Sequence, residues 1–238
     1  MKKFLKRVIS LILLTVFCIG VYFTAAGYVM YKSATREISI AEKVKEVRRE
    51  EDYTTLDNIP DIYEDAVVSV EDSRFYKHPG IDIISILRAV VVNIRDSSFS
   101  EGGSTITQQL AKNLYFSNEK KIARKAAELF IVYYLEDNYA KDVILELYIN
   151  TVYYGDGYYC IKDAAKGYFD CLPSQMTDYE ATLLAGVPNA PSVYAPTKNP
   201  ELTIKRQEHV LNRMVECKKI TKKQKEEILS DKGLSYLN

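Results

Sequence analysis

From Val8 to Met30 the chain carries no charged residue. A helix needs about 20 residues to cross a hydrocarbon core, so this stretch is predicted as a transmembrane anchor over 8–30. Lys2, Lys3, Lys6 and Arg7 precede it and predict a short cytoplasmic tail, 1–7. Tyr22, Tyr28 and Tyr31 lie towards the outer end and suit an interfacial belt. Thr24-Ala25-Ala26-Gly27 would also suit signal-peptide cleavage. The apolar run is longer than a typical signal core, which favours an uncleaved, single-pass anchor.

With 238 residues, one sizeable domain can follow the anchor. Basic and acidic residues number 32 each; setting aside the four N-terminal cations leaves 28 basic against 32 acidic, a net of −4. A nucleic-acid binder would show a basic excess, so nucleic acid is not an expected partner. An anionic ligand would have to be held by a local cluster of cations. The four cysteines form no CxxC pair and only His78 and His209 could join them, which argues against structural zinc. A straight helix between Cys160 and Cys171 would separate them by roughly 16 Å, too far for a disulfide; their state is left open.

Residues 31–55 are rich in charge (Glu42, Lys43, Lys45, Glu46, Arg48, Arg49) and read as a solvated stalk. The domain is expected over 56–230, with a tail at 231–238. Asp57 or Asn58 before Ile59-Pro60 marks a helix start. Ile62, Ala66 and Val70 recur at helical spacing and place Glu71 at that helix's C-terminal end. The dipole there gives an anion no support, so Glu71's proton affinity should rise. Ile81 to Ile94 is apolar nearly all round, hence either fully buried or partly in lipid. Arg95–Glu101 reads as a polar loop. Helices are expected at 121–138, 140–150, 161–169, 178–186, 201–217 and 221–230. Gly155-Asp156-Gly157 is a turn, and Pro188, Pro191, Pro196 and Pro200 space out an extended segment. No strand series is evident, so the class is mainly α.

Three polar clusters carry the candidate chemistry. The first, EDSRFYKHPG from Glu71, packs Glu71, Asp72, Arg74, Phe75 and His78 into ten residues. That is too mixed for a solvated face, and a partly desolvated carboxylate makes a general base. The second, GGSTITQQLAKN from Gly102, joins a Gly-Gly pair that lets backbone approach a ligand to Gln108 and Lys112 on one helix face. Gln109 is offset to a neighbouring face. The order of residues is not that of a P-loop. The third, RKAAE, sets Arg124 four residues before Glu128; alone it would be an ordinary surface ion pair worth a few tenths of a kcal/mol.

With KDVILELYIN from Lys141 and LLAGVPNAPSVYAP from Leu183, these segments closely resemble glycosyltransferase family 51, the peptidoglycan glycosyltransferases, from about Pro60 to Ile228. The resemblance implies a lysozyme-like helical fold with a head lobe and a membrane-dipping jaw lobe, to which Ile81–Ile94 is suited. It implies polymerisation of lipid II on the outer side of a bacterial cell membrane. A growing glycan on undecaprenyl diphosphate would be the donor and the GlcNAc 4-hydroxyl of lipid II the acceptor. The α-linked donor and β-1,4-linked product mean inversion.

In that scheme Glu71 is the base, and Lys112, Arg124 and Lys125 hold the diphosphate. Glu128 sits near it, directly or through a divalent cation (Mg²⁺, or Mn²⁺). Ser104, Gln108 and Gln109 line the cleft near the sugars, with Asp72, Phe75, His78, Gly102, Gly103 and Thr105 in support. Other cell-wall synthesis or division proteins are the partners such an enzyme would have. The chain departs from the family at Gly155-Asp156-Gly157, where Gly-Asn-Gly is common, and at Cys160 and Cys171, which puts local head-lobe turns in doubt. Bifunctional members add a penicillin-binding domain with SxxK, SxN and KTG motifs. Ser117–Lys120 matches the first and KTG is missing, so a monofunctional enzyme is expected.

The rivals are a lysozyme-like lytic hydrolase and an inactive membrane-tethered scaffold. Two carboxylates alone would suit the hydrolase equally. The Lys112–Arg124–Lys125 group separates the two, because a lytic enzyme has no diphosphate to hold.

Overall fold

A computed structural model of the chain describes residues 1–95, 102–116 and 122–231. The fold is mainly helical, and among the described residues no strand is present. In chain order the helices are α1 (Lys2–Ala34), α2 (Ile40–Val47), α3 (Asp61–Glu71), α4 (Ile83–Arg95), α5 (Ile106–Tyr115) and α6 (Ile122–Asn138). After these come α7 (Lys141–Ile149), α8 (Ile161–Phe169), α9 (Asp178–Gly186), α10 (Pro191–Tyr194), α11 (Pro200–Glu216) and α12 (Lys222–Ser230).

Capping residues set many of these starts. Ser39, Thr105, Thr177 and Thr221 each cap a helix whose third residue, Glu42, Gln108, Glu180 or Gln224, bonds back in a capping box. Helix α8 stops at Asp170, which takes a left-handed conformation (φ 53°). The Gly155-Asp156-Gly157 turn is left-handed at all three residues. Cys160 and Cys171 flank α8, and each is a free thiol.

The core is continuous. Tyr63, Ile106, Leu110, Ile131, Leu135, Leu145 and Tyr148 have no solvent exposure. Helix α3 packs on α9 and α11, and α5 packs on α6 and α7. The C-terminal end of α3 meets the start of α5 through the Asp72–Ile106 and Glu71–Gln109 hydrogen bonds.

Two sequence expectations change, and one open alternative narrows. The segment expected as a solvated stalk, 31–55, is packed onto the domain. Ile40 and Val44 of α2 join the core, and Thr54 exchanges backbone hydrogen bonds of 2.8 Å with the Asn150 side chain. The charges mislead because α2 is amphipathic: its apolar residues recur on one face and its lysines and glutamates cover the other. The proline-spaced region after Pro188 is not simply extended. Pro188 lies in a 3₁₀ turn at Val187–Asn189, and Pro191 and Pro200 head α10 and α11, since proline fits the first turn of a helix. Ile81–Ile94 is not a fully buried helix. Ile83, Ile84, Leu87 and Val91 of α4 are each 58 to 67 % exposed. The expected polar loop to Glu101, the Ser117–Lys120 match and the tail beyond Asp231 lie outside the described residues.

Helix α1 runs unbroken through the predicted tail, anchor and stalk boundaries, and it is long and apolar enough to cross a membrane. Its C-terminal part lies along α6. A Cβ on Gly27 would fall 2.5 Å from the Ala126 Cβ and 2.9 Å from backbone of residues 126 and 127, so glycine there is required by close approach. One turn further, Phe130 of α6 meets the rings of Tyr28 and Tyr31, both at 5.5 Å.

Candidate active site

Glu71 is the last residue of α3, and its side chain is 8 % exposed. Gln109, one turn into α5, donates from Nε2 to Glu71 Oε2 at 2.8 Å. The Tyr148 hydroxyl donates to Gln109 Oε1 at 3.3 Å, which fixes the way the amide faces. Arg206 of α11 brings Nη2 to 3.4 Å from Glu71 Oε1. Burial pushes the Glu71 carboxyl above its ordinary range; Gln109 and then Arg206 pull it back, and Asp72 adds to the rise. The expected direction is present, but desolvation is its main cause.

Asp72 lines the cleft, but its carboxylate is engaged with His78. Both are buried; His78 Nε2 donates to the Asp72 carboxylate at 2.9 Å. Asp72 Oδ2 also accepts from the Ile106 backbone at 3.1 Å. The Gly80 N–H donates to His78 Nδ1, and the Thr105 hydroxyl donates to the Gly80 carbonyl. These bonds close a ring that registers the start of α5 against the end of α3. Phe75 is fully buried under the Lys141 ammonium, 4.5 Å from its ring centre. These supporting residues therefore shape the site by packing and hydrogen bonding.

Arg124, Lys125 and Glu128 lie together on α6. Glu128 has no exposure, with Lys125 Nζ at 2.8 Å and Arg124 Nε at 3.4 Å. Neither Glu128 oxygen has a hydrogen-bond partner among the described residues, so it is held by ion pairing rather than by directed bonds. Lys125 also donates to Ser104 Oγ at 3.4 Å. Burial pulls the Lys112 ammonium below its ordinary range, and Arg124 is the next cause.

One cleft of about 410 Å³ joins these groups: Glu71, Gln109, Lys112, Arg124, Lys125 and Arg206 all line it. Ser104, Gln108, Gly102, Gly103 and Thr105 line it too. The Gln108 side-chain oxygen is spent on the Thr105 backbone at 3.0 Å as part of the α5 cap, a use the sequence reading had not assigned. Gly102 has open space where a Cβ would go, and neither it nor Gly103 needs a left-handed φ.

A divalent ion at Glu128 would find one carboxylate amid Lys112, Arg124 and Lys125. Such an ion prefers several oxygen ligands, so this set does not fit a metal held by protein alone. Among the described residues, Asp72, His78 and Asp82 could chelate, but His78 already bonds Asp72, and Asp82 carries Arg74 at 3.0 Å and the Ser85 hydroxyl at 2.6 Å.

Sequence reasoning missed Arg206, His209 and Arg213, which also line the cleft. Their spacing of three and four residues on one helix face was a readable signal.

Residues 37–215 match the family model described as Transglycosylase; the chain belongs to that family. The mainly helical architecture agrees with the family's lysozyme-like domain. The chain is 45% identical over 186 residues to penicillin-binding protein 1A of Neisseria lactamica, covering 78% of this chain and 23% of that one. Penicillin-binding protein 1A of Neisseria gonorrhoeae is 44% identical over the same length and share. The chain thus spans about a quarter of the length of these relatives. A Cupriavidus necator protein, provisionally described as a transglycosylase, is 40% identical over 222 residues, covering 93% of this chain and 94% of that one.

Proposed function

We propose that this chain is a peptidoglycan glycosyltransferase that polymerises lipid II into β-1,4-linked glycan with inversion, releasing undecaprenyl diphosphate. One observation carries the reading: a buried carboxylate, Glu71, opens onto the same cleft as Lys112, Arg124 and Lys125. Glu71 takes the proton from the acceptor 4-hydroxyl as that oxygen attacks the anomeric carbon. The transition state has oxocarbenium character, and charge gathers on the departing diphosphate. The three cations stabilise that charge more in the transition state than in the ground state. Glu128 holds Arg124 and Lys125 in place between turnovers. A divalent cation, Mg²⁺ or Mn²⁺, would enter as a companion of the diphosphate.

In this proposal α1 crosses the bacterial cell membrane with its N-terminus in the cytoplasm, and the cleft lies on the outer side. The exposed apolar face of α4 rests in the lipid as the jaw. The lipid-linked growing glycan is the donor partner, and other cell-wall synthesis or division proteins would work beside it. The test is to incubate the full chain in detergent or vesicles with lipid II and Mg²⁺ and to size the products. Long glycan is expected; shortening of preformed glycan would instead identify a lytic hydrolase.

A further inference from the structure

We propose that Arg206 is a positioning residue for Glu71: with Gln109 it fixes the carboxylate between two donors and holds it in the ionised, proton-accepting form. The inference rests on the function proposed above.

The geometry begins with how Arg206 is itself held. Helix α11 is anchored on α9 by Gln207, whose Nε2 donates to the Tyr179 carbonyl at 2.8 Å and lies 3.0 Å from the Thr182 hydroxyl. The neighbouring residue, Arg206, then faces α3. Its Nε donates to the Gly186 carbonyl at 3.2 Å. Its guanidinium lies 5.8 Å from the centre of the Tyr194 ring, within cation–π range. A Cβ on residue 186 would come within 3.0 Å of the Arg206 Cγ, so glycine there leaves room for the arginine stem. The side chain is thus fixed at its stem, its Nε and its face, leaving Nη2 to meet Glu71.

The pair is enclosed, with Arg206 and Glu71 side chains 12 and 8 % exposed. With so little exposure an opposite charge favours the ionised carboxylate. The groups facing Glu71 divide cleanly. From α5, Gln109 donates to it; from α11, Arg206 attracts it. Asp72, next in sequence, repels it, and burial opposes its charge. Tyr63 of α3 and Tyr148 of α7 are buried close enough to feel its charge, and their own proton affinities are raised, mainly by burial. Arg206 is therefore the cation among the named groups that offsets burial. Gln109 and Arg206 also take different oxygens, Oε2 and Oε1. The carboxylate plane is therefore fixed from two sides, as a base aimed at one hydroxyl requires.

The experiment compares the full chain with Arg206→Gln and Arg206→Lys. Two readouts are taken across about pH 5 to pH 9. One is the rate with lipid II; the other is the carboxylate titration of Glu71, from infrared difference against Glu71→Gln. Arg206→Gln should move the Glu71 titration and the acid limb of kcat/KM upward together, by about one to three pH units. At neutral pH it should lower kcat about tenfold or more while KM stays within about twofold. Arg206→Lys should restore part of both. An unmoved Glu71 titration in a folded Arg206→Gln chain would overturn the proposal, and so would a loss confined to KM. The infrared titration needs no substrate. If the wild-type chain makes no glycan but the titration still moves, the glycosyltransferase reading fails and the pairing stands.

Discussion

The Gln109 amide donates to Glu71 at 2.8 Å while the Tyr148 hydroxyl donates to that same amide's oxygen. The order of donors sets the direction: tyrosine to glutamine to glutamate. A chain of this kind delivers a fixed N–H to the carboxylate without adding a charge, and it leaves Glu71 able to accept a proton.

Glu71→Gln should lower glycan synthesis from lipid II by about 10²- to 10⁴-fold, the range of a lost general base. Circular dichroism should be unchanged. In the wild type, kcat/KM should fall as pH falls through the Glu71 titration. That fall should occur above the range of an ordinary glutamate, because burial raises its proton affinity. A variant with full activity would remove Glu71 as the base.

Arg124→Gln should cost about 10²-fold, mainly in kcat, because its charge matters most as the diphosphate departs. Steady-state rates with lipid II at fixed salt measure this. An equal loss in KM with kcat intact would show that Arg124 serves binding alone.

Gly27→Leu should separate α1 from α6, since even a Cβ would fall 2.5 Å from Ala126. Overpacking of this kind costs about 1–3 kcal/mol. Thermal unfolding in detergent should begin earlier than in wild type. An unchanged midpoint would mean that α1 does not rest on α6 in solution.

Glu64 lies on α3 near Asp57, Asp61, Asp65 and Asp142, and burial followed by those charges raises its pKa to about 7. Its folded proton affinity exceeds that of the unfolded chain, so its ionisation costs stability as pH rises from about 4.5 to 7. Glu64→Gln should therefore raise the unfolding midpoint at about pH 8 and leave it nearly unchanged at about pH 4. Equal effects at both pH values would sink this assignment.

The sequence made the helices and one side of the site legible. Boundaries at Ile161–Phe169 and Asp178–Gly186 match the structure, because caps and turn residues act locally. Lys112, Arg124, Lys125 and Glu128 come together because α5 packs on α6 and their spacings already put them on shared faces. The stalk was misread because its composition is polar overall while a few residues, Ile40, Val44 and Thr54 among them, decide its burial. The spacing of Arg206, His209 and Arg213 could have flagged a cationic face, but the pairing of Arg206 with Glu71 spans 135 residues and no local pattern links α11 to the end of α3. The Gln108 cap was hidden for the opposite reason: a residue suited to sugars was also the right residue three positions after a capping threonine.

Helix α6 has two occupied sides. Ala126 and Phe130 meet α1, and Arg124 and Lys125 line the cleft. A loose leash would let the cations wander over a range of depths. A seated helix instead fixes the cations relative to α1, through the Gly27–Ala126 approach and the packing of Phe130 on Tyr28 and Tyr31. If α1 is the anchor proposed above, a change in its tilt would carry the cations with it rather than stretch a linker.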